Sequence, residues 1–170
     1  LGQAHIRAHI NVSTDNVVVY DYDSMFTEKV MDLHLGFVYN SKAVAPQPCW
    51  KLSMEKRLLQ QPDTSAPGKR TAQLLESDGH ITSFSYDPDF GGDMAWTSFN
   101  PKNGINYIIF DDASQQWLLH RLNDKLIERY DTQGLLQSIS NYQKQQLDFG
   151  YDAQQRLTAI TGPSGCTYSF

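Results

Sequence analysis

His5 and His9 lie four positions apart, a spacing that puts both imidazoles on one side of a strand or a helix and could begin a zinc site. No third ligand is nominated by spacing, and solvated or core-capping histidines account for the pair. Asp87-Pro88-Asp89-Phe90-Gly91-Gly92-Asp93 has the carboxylate spacing that opens a calcium loop, with Gly92 at the sixth place. Ser98 stands where the closing Glu belongs, so a hairpin loop is the expected structure. Ser, His and Asp all occur, yet no G-x-S-x-G turn surrounds a serine, and Ser164 falls in a turn beside Gly165. Asp111-Asp112 and the scattered glutamates form no acid/base pair that spacing alone defends. Cys49 and Cys166 belong to no Cys-x-x-Cys or Cys/His pattern and read as two buried or half-buried thiols. Trp50, Trp96 and Trp117 could stack on sugar rings from a sheet surface, but aromatics on the core face of a sheet account for the same residues. No catalytic residue, metal ligand or cofactor is therefore nominated.

The chain has 170 residues, enough for one domain or two small ones, and 14 Lys plus Arg against 19 Asp plus Glu give a net charge of −5. That acidic balance argues against nucleic acid as a partner. The densest basic region, Lys51, Lys56, Arg57, Lys69 and Arg70, is interrupted by Glu55 and reads as solvated surface. Mean hydropathy is −0.48, and the most apolar run, Asn16 to Tyr20, is strand length, so no membrane span is expected. Nothing at the amino end reads as a secretion signal.

Any of these groups must be positioned by strands. Short aromatic and β-branched segments recur at Arg7–Asn11, Asn16–Asp23, Leu35–Tyr39, Trp50–Met54, Ala72–Glu76, His80–Tyr86, Met94–Phe99, Asn106–Asp111, Gln116–Arg121 and Lys125–Tyr130. Turn chemistry separates many of them, as in Ser77-Asp78-Gly79, Lys102-Asn103-Gly104, Gln133-Gly134 and Pro163-Ser164-Gly165. The expected fold is all-β, an antiparallel β-meander. Ser24–Leu35 could form a short helix capped by Ser24, though strand and turn are favoured, and Gln60–Arg70 reads as an exposed loop or a seam. Residues 1–60 are accordingly read as a strand-rich segment, and residues 61–170 as hairpins continuing the same sheet.

An internal repeat carries the argument. Tyr130, Asp131, Gly134, Leu136 and Ile139 recur 21 positions later as Tyr151, Asp152, Gln155, Leu157 and Ile160, and Phe149 and Phe170 keep the same interval. An earlier partial copy is Phe84-Ser85-Tyr86-Asp87, matching Phe149-Gly150-Tyr151-Asp152, while Asp78-Gly79 precedes Phe84 as Ser164-Gly165 precedes Phe170. Each unit is a hairpin that cannot bury its own Leu and Ile, so successive units must pair edge to edge. The Asp is expected to accept backbone N–H groups in the following turn, and the Tyr ring to pack on the sheet.

Phe149-Gly150-Tyr151-Asp152-Ala153-Gln154-Gln155-Arg156-Leu157-Thr158-Ala159-Ile160-Thr161 resembles the YD repeat of Rhs proteins, Tc toxin B and C components, bacterial wall-associated proteins and teneurins. Leu35-Gly36-Phe37-Val38-Tyr39-Asn40-Ser41, Trp50-Lys51-Leu52 and Arg57-Leu58 are similar to the segment preceding the repeats in bacterial members. Gln155 replaces the usual repeat glycine, and Pro48-Cys49 stands where glycine is common before Trp50. The resemblance implies a fragment of a larger β-sheet shell, without enzymatic activity, that encloses a carboxy-terminal toxin domain absent here. It further implies delivery from a bacterial cell as part of a larger protein, with the rest of the shell and the enclosed toxin as partners. A glycan- or cell-surface-binding β-module is the alternative. Open strand edges are expected to promote self-association.

Overall fold

The computed structural model describes residues 6–13, 15–21, 36–42, 49–60, 71–87, 95–100 and 104–170. Among them every regular element is a strand: β1 (Ile6–Asn11), β2 (Asn16–Asp21), β3 (Phe37–Asn40), β4 (Trp50–Leu52), β5 (Arg57–Gln60), β6 (Ala72–Leu75), β7 (Ile81–Tyr86), β8 (Ala95–Asn100), β9 (Gly104–Asp111), β10 (Gln116–Arg121), β11 (Leu126–Tyr130), β12 (Leu136–Asn141), β13 (Gln146–Tyr151), β14 (Leu157–Thr161) and β15 (Thr167–Ser169). They form a sheet of β1–β4 and another of β5–β15, and within each sheet every strand pairs antiparallel with its sequence neighbours, giving the expected meander. His5, the Ser24–Leu35 segment, the loop from residue 61 to Arg70 and the calcium-spaced residues 88–93 lie outside the described residues.

Two compact units divide the chain, Leu1–Glu55 with Glu76–His80, and Lys56–Leu75 with Ile81–Phe170. In the first, the register aligns Arg7, Tyr20, Val38 and Lys51 across β1–β4, and Val38 is buried. Ile6, Ile10, Phe37 and Trp50 fall on the opposite pleat and are exposed. The Tyr20 hydroxyl donates to Asp78 Oδ2 at 3.0 Å, and Asn40 Nδ2 donates to the Asp78 carbonyl at 2.6 Å.

The second unit is the eleven-stranded sheet. Its register sets Trp96, Ile108, Leu119, Glu128, Ile139 and Leu147 in one cross-strand row, all buried. A neighbouring row runs Phe110, Trp117, Tyr130, Leu136, with Phe110 and Trp117 rings 4.7 Å apart and Trp96 edge-on to Trp117 at 5.8 Å. Period-two alternation thus puts the residues of these two rows on one face.

Two expectations are corrected. Strands β1–β4 and β5–β15 are separate ladders rather than one continuous sheet. After β4 the chain turns, with the Glu55 N–H on the Leu52 carbonyl, and the Leu58 N–H of β5 is taken by the Gly134 carbonyl instead of a β4 partner. Strand β5 therefore falls before the expected boundary at 60 yet belongs with the repeats. The two thiols are exposed rather than buried: Cys49 sits at a bend before β4 and Cys166 in the hairpin turn before β15.

Candidate functional site

Five hairpin turns, Glu76–His80, Asp131–Leu135, Asn141–Gln145, Asp152–Arg156 and Gly162–Cys166, share one construction. The first residue's carbonyl accepts the N–H of the fourth, and its N–H bonds the carbonyl of the fifth. The fourth residue is left-handed in each: Gly79, Gly134, Lys144, Gln155 and Gly165 have φ of 85°, 80°, 65°, 61° and 84°. This is the three-residue hairpin loop with a bulge residue at positive φ. Gln155 therefore occupies the repeat-glycine position in the same backbone conformation, and the substitution leaves the turn type intact.

The repeat aspartates cap these turns. Asp131 Oδ1 accepts the N–H groups of Gln133 and Leu135 at 2.8 and 2.9 Å, and Asp152 Oδ1 those of Gln154 and Arg156, both at 2.9 Å. Asn141 does the same for Gln143 and Gln145, both at 3.0 Å. The Arg156 amide and guanidinium hold the Asp152 carboxyl below its usual range. Immediately before each cap the ladder slips, between Arg129 and Tyr130 and between Gly150 and Tyr151, so a β-bulge recurs with the repeat and re-aims both tyrosines. Tyr130 is fully buried, with its hydroxyl donating to Glu128 Oε2 at 2.6 Å. The Tyr151 hydroxyl donates to the Leu136 carbonyl at 2.8 Å, tying the later Tyr-Asp repeat to the one before it.

Leu136, Ile139, Phe149 and Ile160 are buried, while Leu157 is half-buried. Phe170 is exposed, although its N–H bonds the Thr158 carbonyl at 2.9 Å. A further aromatic-aspartate pair escaped the 21-residue test. Phe110-Asp111 stands 20 positions before Tyr130-Asp131, and Asp111 accepts the Ala113 N–H and the Ser114 hydroxyl at 3.2 and 2.6 Å. Those bonds, the Ser114 hydroxyl foremost, lower its carboxyl pKa. Allowing the period to slip by one residue would have found it.

Sequence reasoning also missed Glu128. Its side chain is 1% exposed between Leu119 and Ile139, with Lys56 Nζ and Arg121 Nε each 2.6 Å from Oε1 and Arg121 Nη2 3.3 Å from Oε2. Burial alone would raise its pKa; Lys56 and Arg121 overcome that and lower it to about 2. The signal available in the sequence was its place two residues before Tyr130, on the same pleat.

On the opposite pleat His120 stacks on Tyr107, ring centroids 4.4 Å apart and planes at 6°. His120 Nε2 is buried without a hydrogen-bond partner, and burial, then Arg129, lowers the imidazole pKa below 6.5. The folded chain therefore takes this proton less readily than the unfolded one. Stability is full above about pH 6.5 and falls as the pH drops through the lowered value. Urea unfolding at pH 7.5 and 5.5 should show that loss in the wild type and a smaller one in His120→Phe; equal losses would remove His120 as the cause.

Lys144 is exposed at φ 65°. Relief of left-handed strain, offset by glycine's larger unfolded-state entropy, predicts that Lys144→Gly stabilises by about 0.5 kcal/mol. A midpoint shift to lower denaturant would contradict this.

Residues 130–165, the segment containing the Asp131, Asn141 and Asp152 caps, match the family model described as RHS Repeat. No curated protein and no solved structure matches the chain significantly.

Proposed function

From a chain that the repeat at residues 130–165 assigns to the Rhs/YD-repeat family, we propose a non-enzymatic structural role, as a segment of a β-sheet shell whose complete protein encloses a carboxy-terminal toxin domain. The observation that carries the reading is how the repeat's polar atoms are used. Asp131 and Asp152 bond the amides of their own turns, and Tyr130 and Tyr151 bond Glu128 and the Leu136 carbonyl. A side chain that caps a turn or ties one strand to the next builds a wall. The same logic makes the outer edge of β15, last in the ladder, the place where a further strand pairs.

The parent reading frame tests this directly. Further Tyr-Asp units at intervals near 21 residues, followed by an unrelated carboxy-terminal domain, are expected on the shell reading. A frame without them sinks it.

A second reading, a glycan- or cell-surface-binding module, is favoured by one residue. Trp50 is 52% exposed beside Tyr39, ring centroids 5.1 Å apart, whereas Trp96 and Trp117 are buried. Glycan-array binding that disappears in Trp50→Ala would support this module; an array without signal would remove it.

A further inference from the structure

Strand β5 ends its sheet, yet its edge away from β6 is not open. The Leu58 N–H donates to the Gly134 carbonyl at 2.9 Å, and Arg57 forms an antiparallel bridge with Leu135. Lys56, just before the strand, reaches Glu128 Oε1 at 2.6 Å, and Arg57 Nη2 donates to Gln155 Oε1 at 2.9 Å. All four partners lie in the repeat hairpins or in β11 beside them. A β-carbon at Gly134 would lie 3.0 Å from the Leu58 carbonyl carbon and closer still to its oxygen, so the turn accepts β5 only because it carries glycine there. Gly165, with the same left-handed backbone, has nothing packed on it.

We propose that Lys56, Leu58, Glu128 and Gly134 form a latch, through which the first Tyr-Asp turn receives strand β5 and closes the sheet, and which opens locally while β9–β15 stay folded. Charge arithmetic makes the open state accessible. Closed, one buried carboxylate holds two cations. When Lys56 leaves, Glu128 keeps Arg121 and the Tyr130 hydroxyl, a neutral, hydrogen-bonded pair, so opening orphans no buried charge. The β9–β12 ladder, which does not involve β5, is untouched. The proposal rests on the structural reading and names the joint at which such a wall can yield.

Amide hydrogen exchange on the intact chain tests it, because the Leu58 N–H itself makes the bridging bond. Lys56→Met should speed Leu58 exchange at least tenfold while amides of β12–β14 keep wild-type rates. Lys56→Arg, which retains the charge, should stay close to wild type. An unchanged Leu58 rate in Lys56→Met, or a Leu58 amide that exchanges in step with β12–β14 in every variant, overturns the latch. Either result leaves the structural role standing, since that is decided by the parent reading frame.

Discussion

Gly134→Ala is expected to destabilise the chain by about 3–4 kcal/mol, and Gly165→Ala by only about 1 kcal/mol, although both residues are turn glycines with φ near 80°. The common part is left-handed strain, of order 1–2 kcal/mol for a residue with a β-carbon. The difference lies in what sits above the α-carbon. At Gly165 the space is open, whereas at Gly134 the new methyl would drive into the Leu58 backbone. Relief requires moving β5, which forfeits the Leu58–Gly134 hydrogen bond and the Arg57–Leu135 bridge. Urea unfolding of the two variants separates the contributions. Equal midpoint shifts would mean that the β5 contact contributes nothing and that backbone conformation alone explains the glycine.

Glu128→Gln should cost about 3–5 kcal/mol, because it removes the anion that two cations share in a buried site and leaves Lys56 and Arg121 facing each other. Acid should reproduce much of this without mutation. The carboxyl titrates near 4.5 in the unfolded chain and at about 2 in the folded one. Its contribution is therefore complete above about pH 4.5 and is lost as the pH falls toward 2. At 1.36 kcal/mol per unit, that is about 3 kcal/mol. Denaturation measured across this interval should show a steeper slope in the wild type than in Glu128→Gln, which keeps only the share of carboxylates such as Asp111 and Asp152. A variant retaining the full slope would place the acid sensitivity in other carboxylates. Replacing Lys56, Glu128 and Arg121 together with Met, Leu and Met is a further discriminator, since an apolar trio of similar volume can recover what the single change loses.

Much of the architecture was legible residue by residue. The aromatic and branched apolar residues of Gln116–Arg121 and Lys125–Tyr130 predict strands, and both form, with Trp117, Leu119, Glu128 and Tyr130 on the buried pleat. The Tyr-Asp unit predicts a capped turn, and Asp131 and Asp152 each accept two amides within four residues. These features are local: the groups that interact are close along the chain, so residue type and spacing nearly determine the geometry. Gln155 marks the limit, because no propensity announces that a glutamine takes the left-handed conformation of Gly134. The β13–β14 pairing on either side of its turn, with the Asp152 carbonyl accepting its N–H, holds it in that conformation.

The sequence by itself determined that this chain is a β-meander of short hairpins, where its Tyr-Asp turns fall, and that the repeat faces need neighbouring strands to be buried. Only the tertiary structure decided that the strands divide into two sheets, that both thiols are exposed, that Glu128 is buried and that Gly134 receives another strand. The physical reason is range. Lys56 and Glu128 are 72 residues apart, and a glutamate in an alternating strand is indistinguishable from a solvated one until a cation from elsewhere in the chain arrives to make its burial affordable.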